Sequence, residues 1–169
     1  MFDTRLTLVS LAALLVSTGA VAADPAGAPQ TAAVLGKLHR TNLTEIHMGE
    51  MARDHGSSKD VQSFGKMLIK DHTEADAKVT KLAKQENVDL TASTPAAEST
   101  EMATGPGFDA SFAKAMLEGH QKAIAEVEAA RDGTHDDKLK SMLKDLLPVL
   151  KKHESTAQKL VDKGPSASR

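Results

Sequence analysis

Residues 61–82 read VQSFGKMLIKDHTEADAKVTKL, with small or apolar residues at alternating spacings of four and three. One stripe contains Val61, Gly65, Leu68, His72, Ala75, Val79 and Leu82. This spacing predicts an α-helix that packs one face against neighbouring helices. An ionisable residue, His72, lies in the middle of that face.

Three other stretches show the same spacing, and each also has an ionisable residue inside its stripe. The first stripe consists of Leu38, Asn42, Glu45, Gly49 and Ala52. The third consists of Ala113, Met116, His120, Ala123, Val127 and Ala130. The fourth consists of Leu139, Met142, Leu146, Val149, His153 and Leu160. No segment alternates with period two, so the sequence predicts an all-α fold, an up-down-up-down four-helix bundle.

The predicted bundle domain spans residues 32–162, and residues 163–169 are expected to form a flexible tail. Residues 88–107 are rich in Ala, Ser, Thr, Pro and Gly and have no helical period. They are predicted to form a linker between the second and third helices, and the first place where a protease would cut. Pro148 falls inside the fourth helix, where a kink or local break is expected.

Residues with capping side chains set the predicted helix ends. Helix 1 is expected to end at His55, before Gly56, and Ser57 or Ser58 is expected to cap helix 2. Asp109 is the predicted N-cap of helix 3, and Thr134 that of helix 4.

The first 23 residues are predicted to be a secretory signal peptide. A short polar start is followed by the mostly apolar run Leu6–Leu15, and small residues allow cleavage after Ala22 or Ala23. Residues 24–31 then read as a flexible mature N-terminus. The protein is therefore expected to be exported, either to the periplasm or out of the cell. No apolar run reaches the roughly 20 residues of a transmembrane helix, so none is predicted.

Composition excludes several classes of protein. The chain has no cysteine, which excludes a disulfide framework and a thiolate metal site. Its 21 basic and 23 acidic residues are balanced, and aromatic residues are only 2% of the chain, so no nucleic-acid partner is predicted. No nucleophile with a base, phosphate-binding glycine loop or dinucleotide fingerprint is present, so catalysis would have to come from a metal.

Four ionisable residues, one from each stripe, form the candidate core site: Glu45, His72, His120 and His153. Three imidazoles and one carboxylate are suitable ligands for one ion of Zn, Fe, Mn or Cu. Two alternatives are a buried hydrogen-bond network in which Glu45 accepts from the imidazoles, and histidines that are satisfied separately. Counting from the turns places His120 and His153 about 9 Å apart in height. A di-iron centre is not predicted, since the chain lacks Glu-x-x-His.

Two residues are candidates to support this site. Asn42 could complete the hydrogen bonds of the network. Asp76 lies one turn after His72 and could fix the tautomer of its ring. Asp71 is rotated off the stripe and is a weaker candidate for the same role.

A second candidate site is a row on the outside of helix 1, formed by His47, Met51 and His55 at spacings of four. Imidazole and thioether groups in such a row could bind copper or silver ions. The favoured interpretation is a solvated helix face.

Several short motifs resemble the bacterial family known as domain of unknown function 4142, over about Val34 to Leu160. They are Asn42, Glu45, Ile46 and Gly49; Phe64 and Asp71-His72-Thr73; Phe108-Asp109, Phe112 and Glu118-Gly119-His120-Gln121; and Leu147-Pro148, Leu150 and His153. Asp76 departs from the Asn expected there. The resemblance implies a secreted or periplasmic, ferritin-like bundle of a kind often labelled a predicted outer membrane protein. It implies no established activity.

Two functions follow from these observations. The first is a non-catalytic exported bundle with a binding or stress-related role and a buried polar network. The alternative is a protein that stores, senses or uses a transition metal at the core Glu and His residues. Association with the outer membrane, a protein partner and self-association are left open.

Overall fold

A computed structural model describes residues 27–91, 102 and 104–164. It contains four helices: α1 (Gly27–His55), α2 (Lys59–Gln85), α3 (Phe108–Gly133) and α4 (Asp137–Lys163). No strand occurs in these residues, so the predicted all-α four-helix bundle is confirmed. The predicted signal peptide, most of the predicted linker and the end of the predicted tail lie outside the described residues. None of the four helices has the continuous apolar length that crossing a membrane requires.

Contacts at the two ends of the bundle set the directions of the helices. The carboxylate of Asp109, at the start of α3, accepts from the backbone N–H groups of Ser57 and Ser58, each at 2.8 Å. Helix α3 therefore begins beside the turn between α1 and α2. At the opposite end, Thr31 donates to Asp136, just before α4, at 3.2 Å. Helix α2 also begins at the α1–α2 turn, so α2 and α3 are parallel.

All neighbouring helices are nevertheless antiparallel. Helix α1 packs mainly against α2, and α3 mainly against α4, while smaller contacts join α2 to α4 and α1 to α3. Going around the bundle in the order α1, α2, α4, α3, the directions alternate, so the pairing is that of an up-down bundle. Along the chain the directions are up, down, down, up, because α2 and α3 are parallel.

Helix α3 begins differently from the prediction. Its N-cap is Gly107, whose φ of 92° lies in the left-handed region that glycine tolerates. Asp109 is in the first turn instead, and its carboxylate accepts hydrogen bonds from the α1–α2 turn. The predicted capping residue thus ties two elements together.

Helix α4 also begins later than predicted. Its N-cap is Asp136, whose side chain accepts from the backbone N–H groups of Lys138 and Leu139. Thr134, the predicted N-cap, is the C-cap residue of α3, and its hydroxyl accepts from Asp136 N at 3.1 Å. Ser58 does cap α2, by accepting from Val61 N.

Helix α1 starts at Gly27, inside the segment predicted to be flexible. Thr31 is buried there, and its contact with Asp136 explains why this end is ordered as helix. Helix α4 continues through Pro148 without interruption. Val88 and Leu90, in the predicted linker, pack against the core.

Two apolar clusters form the core. The first contains Leu35, Val79, Leu82, Ala83, Ile124, Val127, Leu139, Met142, Leu143 and Leu147. The second, nearer the α1–α2 turn, contains Met48, Ala52, Val61, Phe64, Leu68, Phe108, Phe112, Met116 and Ala157. Burial of each large apolar side chain stabilises the fold by roughly 1.5 to 3 kcal/mol before chain entropy is subtracted. Asn42, His72, His120 and His153 are buried in the sequence intervals between these clusters.

Candidate metal centre

Helices α2, α3 and α4 each place one histidine in the middle of the bundle. His72, His120 and His153 are buried, with 4%, 1% and 0% of their surface exposed. One ring nitrogen of each histidine lies within 4.8 Å of a ring nitrogen of the other two. We call these three residues the histidine triad.

An oxygen atom holds the far side of each triad ring. His120 Nδ1 lies 2.8 Å from the carbonyl oxygen of Met116, one turn earlier in α3. His153 Nε2 lies 3.0 Å from Asp71 Oδ2. His72 Nδ1 lies 3.0 Å from Asn42 Oδ1. Because a carbonyl, carboxylate or amide oxygen accepts, each of these ring nitrogens donates its N–H.

This pattern fixes the tautomer of each neutral ring. The unprotonated nitrogens are then Nε2 of His72, Nε2 of His120 and Nδ1 of His153. The last two face each other at 3.2 Å. Two lone pairs at that distance repel unless a proton or a metal ion lies between them. The free nitrogen of His72 is buried and has no hydrogen-bond partner within the described residues.

The distance between the facing nitrogens suits shared coordination. Zinc binds imidazole nitrogen at about 2.0 to 2.1 Å, so two nitrogens on one tetrahedral ion are separated by about 3.3 Å. Ligating histidines also generally donate their other ring N–H to a carboxylate or carbonyl. The triad has both features.

Burial keeps the triad neutral. It lowers the pKa of His72 to about 3, with further lowering by the charges of His153 and His120. Burial lowers the pKa of His120 to about 4, although the Met116 carbonyl opposes this shift. The pKa of His153 is also lowered by burial, against the opposing effect of Asp71. At neutral pH all three rings are therefore unprotonated at one nitrogen and able to bind a metal.

Asp71 is the carboxylate that contacts the triad. Burial raises the pKa of Asp71, but the hydrogen bond from His153 and the nearby positive charges outweigh it, so the pKa is lowered overall. One of these charges is Lys152, whose Nζ lies 3.9 Å from Asp71 Oδ2. Asp71 is therefore ionised and holds the His153 ring in position.

Asp76, the predicted partner of His72, lies elsewhere. Its carboxylate is 2.7 Å from Nδ1 of His39, in a half-buried pair that joins α2 to α1. The sequence favoured Asp76 because the stripe was treated as the only packed face of α2. Helix α2 also contacts α4, on the flank that carries Asp71. A second packed face on α2, facing α4 as well as α1, would have indicated Asp71 as a partner of the buried histidines.

Glu45 lies one turn after Asn42 on α1 and is not a member of the triad cluster. Its Oε2 atom is nevertheless sealed from solvent and has no hydrogen-bond partner within the described residues. Burial raises the pKa of Glu45 to about 7. Its assignment as a metal ligand stays a prediction, and the predicted hydrogen bonds from the imidazoles to its Oε2 are not formed.

The three residues of the predicted surface row of α1 differ in exposure. His47 and His55 are exposed, whereas Met51 is half-buried and packs against the second apolar cluster. His47 Nδ1 lies 3.9 Å from a carboxylate oxygen of Glu50. Metal binding by this row stays a prediction.

Comparison with known families gives one result. A family model described as Domain of unknown function (DUF4142) matches residues 16–160. No curated protein and no solved structure matches the chain. The matched range includes Glu45 and the whole histidine triad.

Proposed function

This chain belongs to the DUF4142 family, and we propose that it binds one transition-metal ion through His72, His120 and His153. The observation that carries the proposal is the convergence of three buried imidazoles whose outer N–H groups are all held by oxygen atoms. A hydrogen-bond network alone would use the free nitrogen of His72, which has no partner within the described residues.

The donor set limits the choice of metal. Three neutral imidazoles suit Zn, Cu and Fe, and a carboxylate in addition would also suit Mn. Glu45 is the residue that we propose for this further position, because it lies one turn from Asn42 on α1 and its Oε2 is sealed from solvent without a partner within the described residues. Loss of its proton would then accompany metal binding.

We further propose that the bound metal serves a non-catalytic role, in storage or sensing, in an exported protein. Export is supported by the pattern of residues 1–23, which is typical of a signal peptide. The absence of a nucleophile with its base from the sequence favours binding over hydrolytic catalysis.

Metal analysis of the natural protein tests the proposal most directly. The protein would be purified without a histidine tag from cells grown with added Zn, Cu, Fe and Mn, and its metal content measured by mass spectrometry. We expect close to one metal ion per chain. Wild-type protein without metal would count against the proposal.

Thermal unfolding of the metal-free protein then identifies the ligands. A ligand bound only by the native state raises the melting temperature in proportion to the logarithm of its free concentration. We expect Zn²⁺ or Cu²⁺ to give this rise in the wild type and no rise in the His120→Ala variant. His135→Ala is the matched control, since His135 is exposed, and it should respond like the wild type.

A third variant separates the triad from the surface row. His47→Ala combined with His55→Ala removes both imidazoles of that row. If this variant loses the metal response and His120→Ala keeps it, the metal is bound on the surface of α1 and the triad is only a hydrogen-bond network.

A further inference from the structure

A cavity of about 330 Å³ lies beside Asn42 and His72. Most of its wall is aliphatic, including Val34, Leu38, Ala130, Leu146, Val149 and Leu150. Polar groups at the wall include Asn42, Asp71 and His72. Apolar walls with a few polar groups are typical of sites that bind small molecules.

Asn42 lies in the wall of this cavity and has an unused hydrogen-bond donor. The residue is 5% exposed, and its Oδ1 already accepts from His72. Its Nδ2 is buried and has no partner within the described residues. A buried donor without a partner destabilises the fold, so an acceptor that reaches Asn42 Nδ2 gains affinity.

The charges around the cavity exclude an anionic ligand. Asp71 is ionised and lies in the wall, where it would repel a carboxylate or phosphate. Lys37 also lines the cavity, but its Nζ is paired with Glu126 Oε1 at 2.8 Å. The wall therefore offers two neutral donors, Asn42 and the Thr41 hydroxyl, and no unpaired positive charge among its lining residues.

We propose that this cavity binds a small, neutral, largely apolar molecule with one carbonyl or hydroxyl oxygen, and that the Asn42 side chain turns so that its Nδ2, which is sealed in the cavity wall, donates to that oxygen. An apolar cavity of about 150 Å³ is large enough for benzene. The cavity here has about twice that volume, so it has room for a two-ring molecule. The binding goes beyond the proposed metal function and does not require the metal.

Calorimetric titration of the metal-free protein tests the proposal with two probes of nearly equal shape. 1-Tetralone has a carbonyl oxygen, and tetralin is the same two-ring skeleton without it. We expect both to bind, with 1-tetralone about two- to tenfold tighter because of the hydrogen bond to Asn42. The Asn42→Leu variant should abolish this preference.

Ala130→Leu provides an independent test, because it fills part of the cavity from α3 without touching the triad. It should weaken binding of both probes at least tenfold. The matched control is Ala125→Leu, an exposed position of the same helix outside the cavity wall, which should bind both probes like the wild type. Far-ultraviolet circular dichroism and melting temperatures would show that both variants are folded.

Three results would overturn the proposal. The first is no binding of either probe by the wild type. The second is equal affinity of wild type and Ala130→Leu, which would place the probes elsewhere. The third is equal affinity of the wild type for 1-tetralone and tetralin, which would show that Asn42 does not recognise an oxygen. Since metal is absent throughout, none of these results affects the metal proposal.

Discussion

Each ring of the histidine triad is oriented by a different kind of oxygen: an amide, a carbonyl and a carboxylate. The carbonyl belongs to the backbone of α3 and moves only with the helix, so the ring of His120 is the most firmly held. His153 contacts both His120 and Asp71, and therefore links the buried centre to a half-buried carboxylate. A change at His120 should be felt by both other rings, because their centroids lie 5.9 and 5.1 Å from its own.

Replacing His120 in the metal-free protein tests how much this residue contributes to stability. We expect His120→Ala to lower the free energy of unfolding by roughly 1 to 3 kcal/mol, because it removes a fully buried side chain and leaves a cavity beside His72 and His153. Part of this loss is offset, because the substitution also removes the repulsion between the facing lone pairs of His120 Nε2 and His153 Nδ1. Urea unfolding would measure it, and His135→Ala should change stability by less than about 0.5 kcal/mol. A His120→Ala variant as stable as the wild type would show that the triad contributes nothing to folding.

Acid should destabilise the metal-free protein through the triad. The pKa values of His72 and His120 are lowered to about 3 and about 4, so between those values and 6.5 the unfolded chain binds more protons. The stability that these residues contribute is complete above pH 6.5 and is lost as pH falls through that range. Urea unfolding of the Glu45→Gln variant at a series of pH values should show this loss without the opposing contribution of Glu45, and a stability of that variant that stays constant from pH 7 to 4.5 would contradict the burial of neutral imidazoles.

The contribution of Glu45 to stability has the opposite pH dependence. Its pKa is raised from 4.5 to about 7, so the folded chain holds more protons between these values. The resulting stability is complete below pH 4.5 and is lost as pH rises through 7. Relative to Glu45→Gln, the wild type should therefore lose on the order of 2 to 3 kcal/mol between pH 5 and 8. A difference between the two proteins that does not change with pH would mean that Glu45 reaches solvent or a partner.

At the scale of helices, the tightest contact joins α1 to α2 through two glycines. A Cβ atom on Gly65 would lie 2.5 Å from the carbonyl oxygen of Gly49, and one on Gly49 would lie 2.8 Å from that of Gly65. Neither backbone can yield without separating the helices. The hydrogen bond between Asn42 and His72 joins the same two helices. The glycine contact therefore also sets the distance between α1 and the histidine triad.

Two alanine substitutions isolate this packing effect. Gly65→Ala should lower stability by roughly 1 to 3 kcal/mol, since steric overlap outweighs the better helix propensity of alanine. Gly119→Ala makes the same chemical change in α3, where a Cβ would meet nothing within 4 Å. It should raise stability by about 0.5 to 1 kcal/mol. Thermal unfolding distinguishes them by sign, and a stabilising Gly65→Ala would contradict the close approach.

The sequence predicted the four helices because spacings of three and four alternate almost throughout the four stripes. The sequence could not predict which residues are buried where one helix packs against two other helices. Leu143 and Leu147 lie one position from stripe residues and are buried, because α4 contacts both α3 and α2. The same effect brings Asp71 to His153. The predicted height difference of His120 and His153 was too large partly because α4 is capped at Asp136, which removes about 3 Å.

At the scale of the whole molecule, two helical hairpins form one core. Both apolar clusters contain residues from each hairpin, and the Phe64 and Phe112 rings, one from each, lie 5.9 Å apart. The triad is divided in the same way, with His72 in the first hairpin and the other two histidines in the second. Contacts between the two hairpins therefore hold the halves together independently of the linker.

Cutting the linker should leave the bundle assembled. A glutamate-specific protease has targets at Glu98 and Glu101, between the packed residue Leu90 and the start of α3 at Phe108. We expect the first cuts there, and we expect the two fragments to elute together in size-exclusion chromatography, because the cut breaks none of the contacts within either cluster. First cuts inside α2 or α4 would mean that the boundaries of the hairpins are misplaced.

The cut protein also gives the clearest readout of the metal. Unlike the intact chain, its two fragments separate when it unfolds, so any ion that joins His72 to His120 and His153 must be released for them to part. Added Zn²⁺ or Cu²⁺ should therefore raise the urea concentration needed to separate the fragments, and raise it further as more free metal is present. The same cut made in the His120→Ala variant should show no such dependence. Fragments that separate equally easily with and without metal would restrict the triad to hydrogen bonding, whereas separation without urea would show that the linker is essential to the fold.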